Sequence, residues 1–287
     1  MQEQDFPALY RSANSLSVAS QAHFFRALRV HLVMLVLAAV LSIISIPHWL
    51  VAALQLLVLL GALGCSIYLF SMRPDRIWYA GRAVAESIKT VTWRYVCRAE
   101  PFQGDDANSR NDFHQTLKAI VKQNREVCQS FTDYLDCAQI TPIMDQMRSR
   151  SLQERRKTYA TKRIGDQLTW YAKKAAFNRR MSKWFFWALI VTNIAAVVCA
   201  VLRIVYFKQT IWPTDVFVAA AASLLGWMQA KRFSELAASY ALAAHEISLI
   251  KEQSLLPDTD ERFSFFVGDA ENAFSREHTQ WVARKDV

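Results

Sequence analysis

The architecture follows from VHLVMLVLAAVLSIISI (residues 30–46) and LVAALQLLVLLGALGCSIYLFSM (residues 50–72), two apolar stretches that only three residues separate. Neither stretch contains Lys, Arg, Asp or Glu. An α-helix rises about 1.5 Å per residue and the hydrocarbon core of a bilayer is about 30 Å thick, so each stretch suits a spanning helix. Together they predict a transmembrane helical hairpin.

A second pair of apolar stretches follows later in the chain, at residues 184–202 and about 211–230. With the first pair, at about 30–46 and 50–72, it predicts four spans. The remaining segments show helical periodicity and no convincing strand alternation. We therefore predict an all-α integral membrane protein, with two transmembrane hairpins and a helical cytoplasmic bundle.

Basic residues are concentrated at one end of each hairpin. The formal net charge is +9, and Arg73, Arg76, Lys231 and Arg232 are among the flanking cations, whereas the tip of the first hairpin has none. Cytoplasmic flanks of membrane spans carry an excess of Lys and Arg. Both termini and the middle section are therefore expected inside the cell. No cleavable signal peptide is expected, because the first apolar run begins only at Val30, after a polar stretch.

The two halves of the chain are organised alike, each with an amphipathic lead-in, a hairpin and an Ala-rich helix. We divide the chain into a first repeat unit (1–100), a helical connector (101–150), a second repeat unit (151–255) and a C-terminal helix (256–287). This organisation indicates a structural duplication. Because both hairpins enter from the same side, the repeat is parallel, unlike the inverted repeats of many transporters.

Several helices are predicted outside the spans from apolar residues at steps of three and four. Ser109–Asp112 resembles a capping box, which would begin a helix with one packing seam from Phe113 to Ala138. Thr141-Pro142 is a good helix start, from which the pattern could run nearly unbroken into the third span, with Gly165 as the weak point. The other predicted helices are Ile77–Val96, Phe233–Gln253 and about Glu261–Lys285.

The sequence contains no catalytic constellation. It has no HExxH, G-x-S-x-G, Walker or GxGxxG motif, and its six histidines and five cysteines form no metal-ligand spacing. We therefore expect neither enzymatic activity nor a cofactor. Nucleic acid is not an expected partner, since the positive charge flanks the predicted spans and points to the lipid bilayer.

Polar residues within the predicted spans are better clues to function. In one interpretation they line a water-filled path between oligomerised helices. In the other they bind neighbouring helices together, at roughly 0.6–2 kcal/mol per contact. These pore-lining or helix-packing candidates are Ser42, Gln55, Ser66, Asn193 and Ser223.

A basic stretch lies ahead of the third span, between residues 148 and 163. Arg side chains suit phosphate, whether in a lipid headgroup or in a nucleotide. The alternative is an ordinary solvated helix face. The candidates for facing phosphate or lipid are Arg148, Arg150, Arg155, Arg156 and Lys157.

Three motifs resemble those of the bacterial SLATT-domain proteins. They are WYAGRAVAESIKTVTWRY at 78–95, YATKRIGDQLTWYAKKAAFN at 159–178 and SREHTQW at 275–281. The segment Phe233–Ile247 after the last span is similar as well. The chain therefore looks like a tandem-SLATT protein with four spans.

The resemblance implies a pore-forming effector of a bacterial antiphage or conflict system, located in the inner membrane. Such an effector is expected to be a homo-oligomer, triggered by a nucleotide second messenger or by a nucleotide-sensing partner protein. The residues expected to couple signal to opening are Trp78, Arg82, Glu86, Trp93, His278 and Trp281. Two other classes remain open, a non-conducting scaffold that recruits a soluble partner and a housekeeping ion channel.

Overall fold

The computed structural model describes residues 1–44, 49–209 and 211–283, with side chains described as far as Ser275. The protein is 83% helix, and the described residues form no strand, which confirms the all-α prediction. A short 3-10 helix, Glu3–Asp5, comes first. The α-helices are α1 (Ala8–Ile43), α2 (Trp49–Met72), α3 (Pro74–Val96), α4 (Asp106–Gln123), α5 (Arg125–Cys128), α6 (Pro142–Arg148), α7 (Leu152–Thr158), α8 (Asp166–Val205), α9 (Thr214–Lys231), α10 (Phe233–Gln253) and α11 (Asp260–Ala283), with a π-helix (Tyr159–Gly165) between α7 and α8.

Within the described residues, three helical stretches are long and apolar enough to cross a membrane. They are α1, the stretch from Trp49 that includes α2, and the stretch from Leu152 to Val205 that includes α8. They contain the first three predicted spans, except that α1 ends at Ile43 and residues 45 and 46 of the first span lie outside the described residues. Almost none of their apolar window is buried, so the apolar surface faces outward, as contact with lipid requires.

The helix of the fourth predicted span is α9, which is not among these three stretches. It has 18 residues, with Asp215 in its first turn and Lys231 in its last. Eighteen residues rise about 27 Å, slightly less than the roughly 30 Å of the hydrocarbon core. A fourth crossing therefore stays a prediction.

The chain divides into two compact units. The hairpin unit consists of Ala22–Pro74 and Lys173–Tyr240 and contains both predicted hairpins. The helical unit consists of Met1–Gln21, Asp75–Ala172 and the described residues from Ala241 onward. Each unit has contacts between distant parts of the chain, which are described separately below.

The predicted apolar stripes form much of the core of the helical unit. On α3, Val84, Ile88 and Tyr95 are buried. On α11, the described part of the predicted stripe is buried as well, including Phe263 and Val267. These helices therefore pack through the faces that their sequence periodicity indicates.

The beginning of α4 differs from its prediction. Asp105 is the N-cap, and its carboxylate accepts a hydrogen bond from the backbone N–H of Asn108 at 2.8 Å. Ser109 is buried inside the helix and its hydroxyl lies 3.3 Å from the carbonyl oxygen of Phe102. The capping box predicted at Ser109–Asp112 is therefore wrong, because a better cap lies four residues earlier.

A single helix from Phe113 to Ala138 is also wrong, since α4 ends at Gln123 and α5 at Cys128. Beyond α5 the backbone bonds to α1 instead of to its own helix. The carbonyl oxygen of Ala138 accepts from the N–H of Ala8 at 3.2 Å, and that of Asp133 accepts from the hydroxyl of Ser12. Tertiary hydrogen bonds have replaced the helical ones that the periodicity predicted.

The segment from Thr141 to the third span is only partly continuous. Thr141 caps α6 with Pro142 in the first turn, as predicted. The helix then breaks after Arg148, and α7 restarts behind a capping box between Ser151 and Glu154. From Leu152 the chain is helical to Val205, and its irregular part is the π-helix that ends at Gly165.

Candidate functional site

A buried carboxylate, Glu271 on α11, organises the interior of the helical unit. Its Oε1 accepts hydrogen bonds from the hydroxyl of Tyr159 at 2.9 Å and from Nε of Arg163 at 2.8 Å. Its Oε2 accepts from Nη2 of Arg163 at 2.6 Å and from the hydroxyl of Thr90 at 3.0 Å. We call these four residues the buried cluster. The cluster joins three elements, α3, the π-helix and α11.

The π-helix supplies two of the four side chains, Tyr159 and Arg163. A π-helical segment is rare and is commonly associated with functional sites. Here both side chains reach the same carboxylate, and the chain continues directly into α8. The helix that contains the third predicted span is therefore attached to the buried cluster at its beginning.

Charge and burial keep two members of the cluster, Arg163 and Tyr159, protonated. Burial alone would lower the pKa of Arg163, but the Glu271 carboxylate outweighs it and raises that pKa. Burial raises the pKa of Tyr159 well above its usual value. Both groups therefore remain protonated donors to Glu271 at physiological pH.

A second group of charges lies on α3. Nη2 of Arg82 is 2.6 Å from Oε1 of Glu86, and Nζ of Lys89 is 3.9 Å from the other carboxylate oxygen. Glu86 is buried. Burial, as the main cause, lowers the pKa of Lys89 despite the opposing effect of Glu86.

A cavity of about 330 Å³ lies between these two groups. Aromatic and basic side chains share its wall. They include Tyr10, Arg82, Lys89, Trp93, Lys162 and Arg163. The indole of Trp93 is 1% exposed and meets the ring of Tyr159 edge-on, with 5.8 Å between ring centroids.

The predicted coupling residues are only partly brought together. Arg82 and Trp93 line the cavity, and Glu86 bonds to Arg82 beside it. Trp78 lies elsewhere on α3, half-buried, with its ring stacked on Tyr79 at 4.3 Å between centroids. The last two coupling candidates, His278 and Trp281, have side chains outside the described residues.

In the hairpin unit, three of the polar span residues contact neighbouring backbone. Nε2 of Gln55 donates to the carbonyl oxygen of Ala38 at 3.3 Å. The hydroxyl of Ser223 donates to that of Leu32 at 3.3 Å, which ties α9 to α1. Ser66 donates to Ala62 within its own helix at 3.1 Å and lies 3.3 Å from the imidazole of His31. Gln55 and Ser223 therefore bond across helices, as the helix-packing interpretation expects, and a pore-lining role for these residues stays a prediction.

The other two polar span residues, Ser42 and Asn193, bond only within their own helices among the described contacts. Ser42 donates to the carbonyl oxygen of Ala39 at 2.7 Å, and Asn193 donates to that of Leu189 at 2.9 Å. Asn193 is exposed, midway along the predicted third span. Asn193 therefore places its amide on the outward apolar surface, whereas Gln55, the other amide among the five candidates, is half-buried.

For two residues of the basic stretch, the prediction of a phosphate- or lipid-facing role is wrong. Arg148 is 2% exposed, and its guanidinium donates to the carbonyl oxygens of Tyr95 and Gly104 and to Asp106. Arg155 is 5% exposed and donates to Cys97 and to Asp260. Both guanidinium groups therefore form hydrogen bonds inside the helical unit instead of facing solvent or lipid.

The remaining three basic candidates lie nearer the surface. Arg156 is half-buried and donates to the carbonyl oxygen of Pro257 at 2.5 Å. Arg150 and Lys157 are exposed. For Arg150 and Lys157 a phosphate- or lipid-facing role stays a prediction.

Sequence reasoning missed Glu271, Arg163, Tyr159 and Thr90. One signal was available, because Glu271 lies four residues after Val267 and so falls on the predicted core face of α11. A carboxylate on such a face needs a buried partner. The identity of that partner could not be read from the sequence, since Arg163 precedes it by 108 residues.

Comparison with known families covers most of the chain. Residues 7–156 match SLATT_3, described as the SMODS and SLOG-associating 2TM effector domain 3. Residues 159–281 match SLATT_1, described as the SMODS and SLOG-associating 2TM effector domain 1. A search of curated proteins finds no match. A search of solved structures finds none either.

Proposed function

Because the chain belongs to the SLATT family, with two 2TM effector domains in tandem, we propose that it is a pore-forming effector of a bacterial antiphage or conflict system. It resides in the inner membrane as a homo-oligomer. A signal, carried by a nucleotide second messenger or by a nucleotide-sensing partner, rearranges its cytoplasmic helices and opens the pore.

The membrane topology that we propose has four spans and two cytoplasmic termini. The basic flanks of both hairpins support this orientation. The fourth span is α9, which is slightly short for the hydrocarbon core. A short span is accommodated by local thinning of the bilayer at a modest cost.

The observation that carries the proposal is the buried cluster. Thr90 belongs to the first matched domain, whereas Arg163 and Glu271 belong to the second. The cluster therefore links the two domains, and its π-helix continues into the helix of the third predicted span. We infer that a change in the cluster is transmitted along that helix, which would provide the two-state element that gating needs.

Asn193 supports assembly of several copies. Its Nδ2 donates to the carbonyl oxygen of Leu189, but the described residues offer its Oδ1 no donor. A polar atom on the outward apolar surface at hydrocarbon depth is unfavourable unless it faces another polar group or water. A second copy of the chain, or a water-filled path between copies, would satisfy it. The proposed pore is therefore lined by the face of α8 that carries Asn193.

The test is ion flux through liposomes that contain the purified protein, measured with and without candidate cyclic nucleotides. We expect flux that depends on the protein, together with depolarisation and growth arrest when expression is induced in bacteria. Protein-free liposomes are the control. If no condition gives flux and a soluble protein co-purifies stoichiometrically, the scaffold replaces the pore. Flux without growth arrest would instead indicate a housekeeping channel.

A further inference from the structure

The cavity of the helical unit contains features that the packing of the core does not explain. Among the residues that the structure describes, two buried side-chain donors in the cavity lining have no hydrogen-bond partner, Nε1 of Trp93 and Nη1 of Arg163. Nearly all buried donors in proteins are paired. Leaving one unpaired is destabilising, because the group loses its bonds to water and gains none in return.

Neither residue can satisfy its donor through the buried cluster. Arg163 already uses Nε and Nη2 on the two oxygens of Glu271. Those oxygens are also occupied by Tyr159 and Thr90. The Nη1 group of Arg163 and the indole N–H of Trp93 therefore need an acceptor from outside the cluster.

The charges around the cavity favour an anionic acceptor. Among the described residues that line it, four side chains are basic, Arg82, Lys89, Lys162 and Arg163, and two are acidic, Glu3 and Asp166. Arg82 and Arg163 are paired with Glu86 and Glu271, which lie outside the lining, and Lys89 is 3.9 Å from Glu86. Lys162 is therefore the cation of the lining that forms no ion pair with the described residues. The Glu3 carboxylate already accepts from the amide of Asn14 at 2.5 Å. Lys162 is exposed at the rim, where a cation can meet an incoming anion.

The same cavity has aromatic walls. Phe6, Tyr10, Trp93 and Trp170 all line it. Planar rings bind such surfaces by stacking or edge contacts. The volume of about 330 Å³ lies within the range of small-molecule sites, roughly 300–1,000 Å³.

We propose that this cavity binds a small aromatic molecule that carries a phosphate group. The phosphate oxygens accept from Arg163 and Trp93 and neutralise the cation of Lys162, and the ring lies against the aromatic wall. Several oxygens on one group suit several donors better than a single carboxylate does. Because Arg163 also holds Glu271, a ligand here acts directly on the buried cluster. That regulatory consequence rests on the proposed pore function, whereas binding itself does not.

The test is isothermal titration calorimetry on the full-length purified protein in detergent, with three probes. Adenosine monophosphate has both the ring and the phosphate, adenosine has only the ring, and inorganic phosphate has only the anion. We expect adenosine monophosphate to bind at least about ten-fold more tightly than either part. Absence of detectable binding by adenosine monophosphate, or equal binding by adenosine, would overturn the proposal.

Two variants locate the site. Trp93→Phe removes the unpartnered donor and keeps the buried ring, and Lys162→Ala removes the rim cation. Each is expected to weaken binding about ten-fold, the usual effect of one hydrogen bond to a charged group. The matched control is Lys118→Ala, an exposed lysine on α4 outside the cavity, which is expected to bind normally. Binding that neither cavity variant changes would place the ligand elsewhere and refute the site.

Flux measured on the same preparations separates this proposal from the proposed function. Binding that the cavity variants weaken, with no flux under any condition, would keep the ligand site and reject the pore. Protein-dependent flux without binding of adenosine monophosphate would keep the pore and reject the site. Since binding and flux are read independently, each failure is attributed to one proposal.

Discussion

Glu271 and Arg163, 108 residues apart in the chain, form an ion pair with 2.6 Å between Oε2 and Nη2 and almost no exposure to solvent, 0% and 2%. Removing one member of such a pair leaves the other charge buried and uncompensated, which costs about 3–5 kcal/mol. The stability of the helical unit is therefore expected to depend strongly on this pair.

The variant Glu271→Gln is expected to lower the free energy of unfolding by about 3–5 kcal/mol, because it leaves Arg163 without a counter-charge. The melting temperature in detergent, followed by circular dichroism, should fall by at least about 6 °C. The control is Arg262→Ala, which breaks the exposed pair with Asp258 and should leave stability nearly unchanged, since exposed ion pairs contribute little. Equal effects of the two variants would contradict the importance of the buried pair.

Cys97 is expected to resist alkylation in the folded protein. It is buried, and that burial raises the pKa of its thiol far above the ordinary value, so neither the thiolate nor access is available. Cys137 is less buried and should react first. Mass spectrometry after maleimide treatment, with and without denaturant, measures the labelling of both cysteines. Rapid labelling of Cys97 in the native protein would contradict its burial in the core.

Alkaline pH is expected to destabilise the helical unit through Tyr10. Burial, with Glu86 as a lesser cause, raises the pKa of Tyr10 from 10.0 to about 12. Its contribution to stability is therefore complete below pH 10 and is lost between about pH 10 and 12, at up to about 1.4 kcal/mol per pH unit.

The measurement is thermal unfolding against pH for the native protein and for Tyr10→Phe. The variant should lose less stability than the native protein over that pH window, since it has no phenol to ionise. Tyr134→Phe is the control, because Tyr134 is exposed. Identical pH profiles for all three proteins would count against a buried phenol at Tyr10.

Asn193→Leu is expected to reduce ion flux in liposomes at least several-fold, because it removes the exposed amide from the proposed pore face while preserving helix and size. The neighbouring Thr192→Val is the control, since Thr192 is half-buried whereas Asn193 is exposed on the outward surface. Flux is measured by dye release at equal protein content. Unchanged flux in Asn193→Leu would remove this face from the pore.

Trp78→Ala is expected to uncouple signal from opening, so that induced expression no longer arrests growth although the protein is still made and folded. Trp78 is half-buried, and its backbone carbonyl oxygen accepts a hydrogen bond from the hydroxyl of Ser17. The substitution changes only the side chain, so this hydrogen bond is kept. Growth and membrane potential are followed together, with membrane yield as the check on folding. Persisting toxicity would assign Trp78 to packing alone.

Local patterns in the sequence predicted much of the helical structure. Thr141 and Pro142 predicted the beginning of α6, and the Ala-rich segment predicted α10 with its bounds, Phe233–Gln253. The interruption of the helix predicted from Phe113 to Ala138 was not predicted. Its last residues accept hydrogen bonds from Ala8 and Ser12 of α1. These donors lie more than 100 residues earlier in the chain, so local sequence patterns do not reveal them.

By itself, the sequence determined the apolar helices, their basic flanks and the tandem family motifs, because these depend on composition and on spacing within one helix. Only the tertiary structure decided which charges are surface groups and which hold the interior together. Arg148 and Arg163 belong to the same basic stretch as the exposed Lys157, yet both are buried. Each forms hydrogen bonds with residues of other elements. The physical reason is that burying a charge requires a partner, and here packing brings that partner from a distant part of the chain.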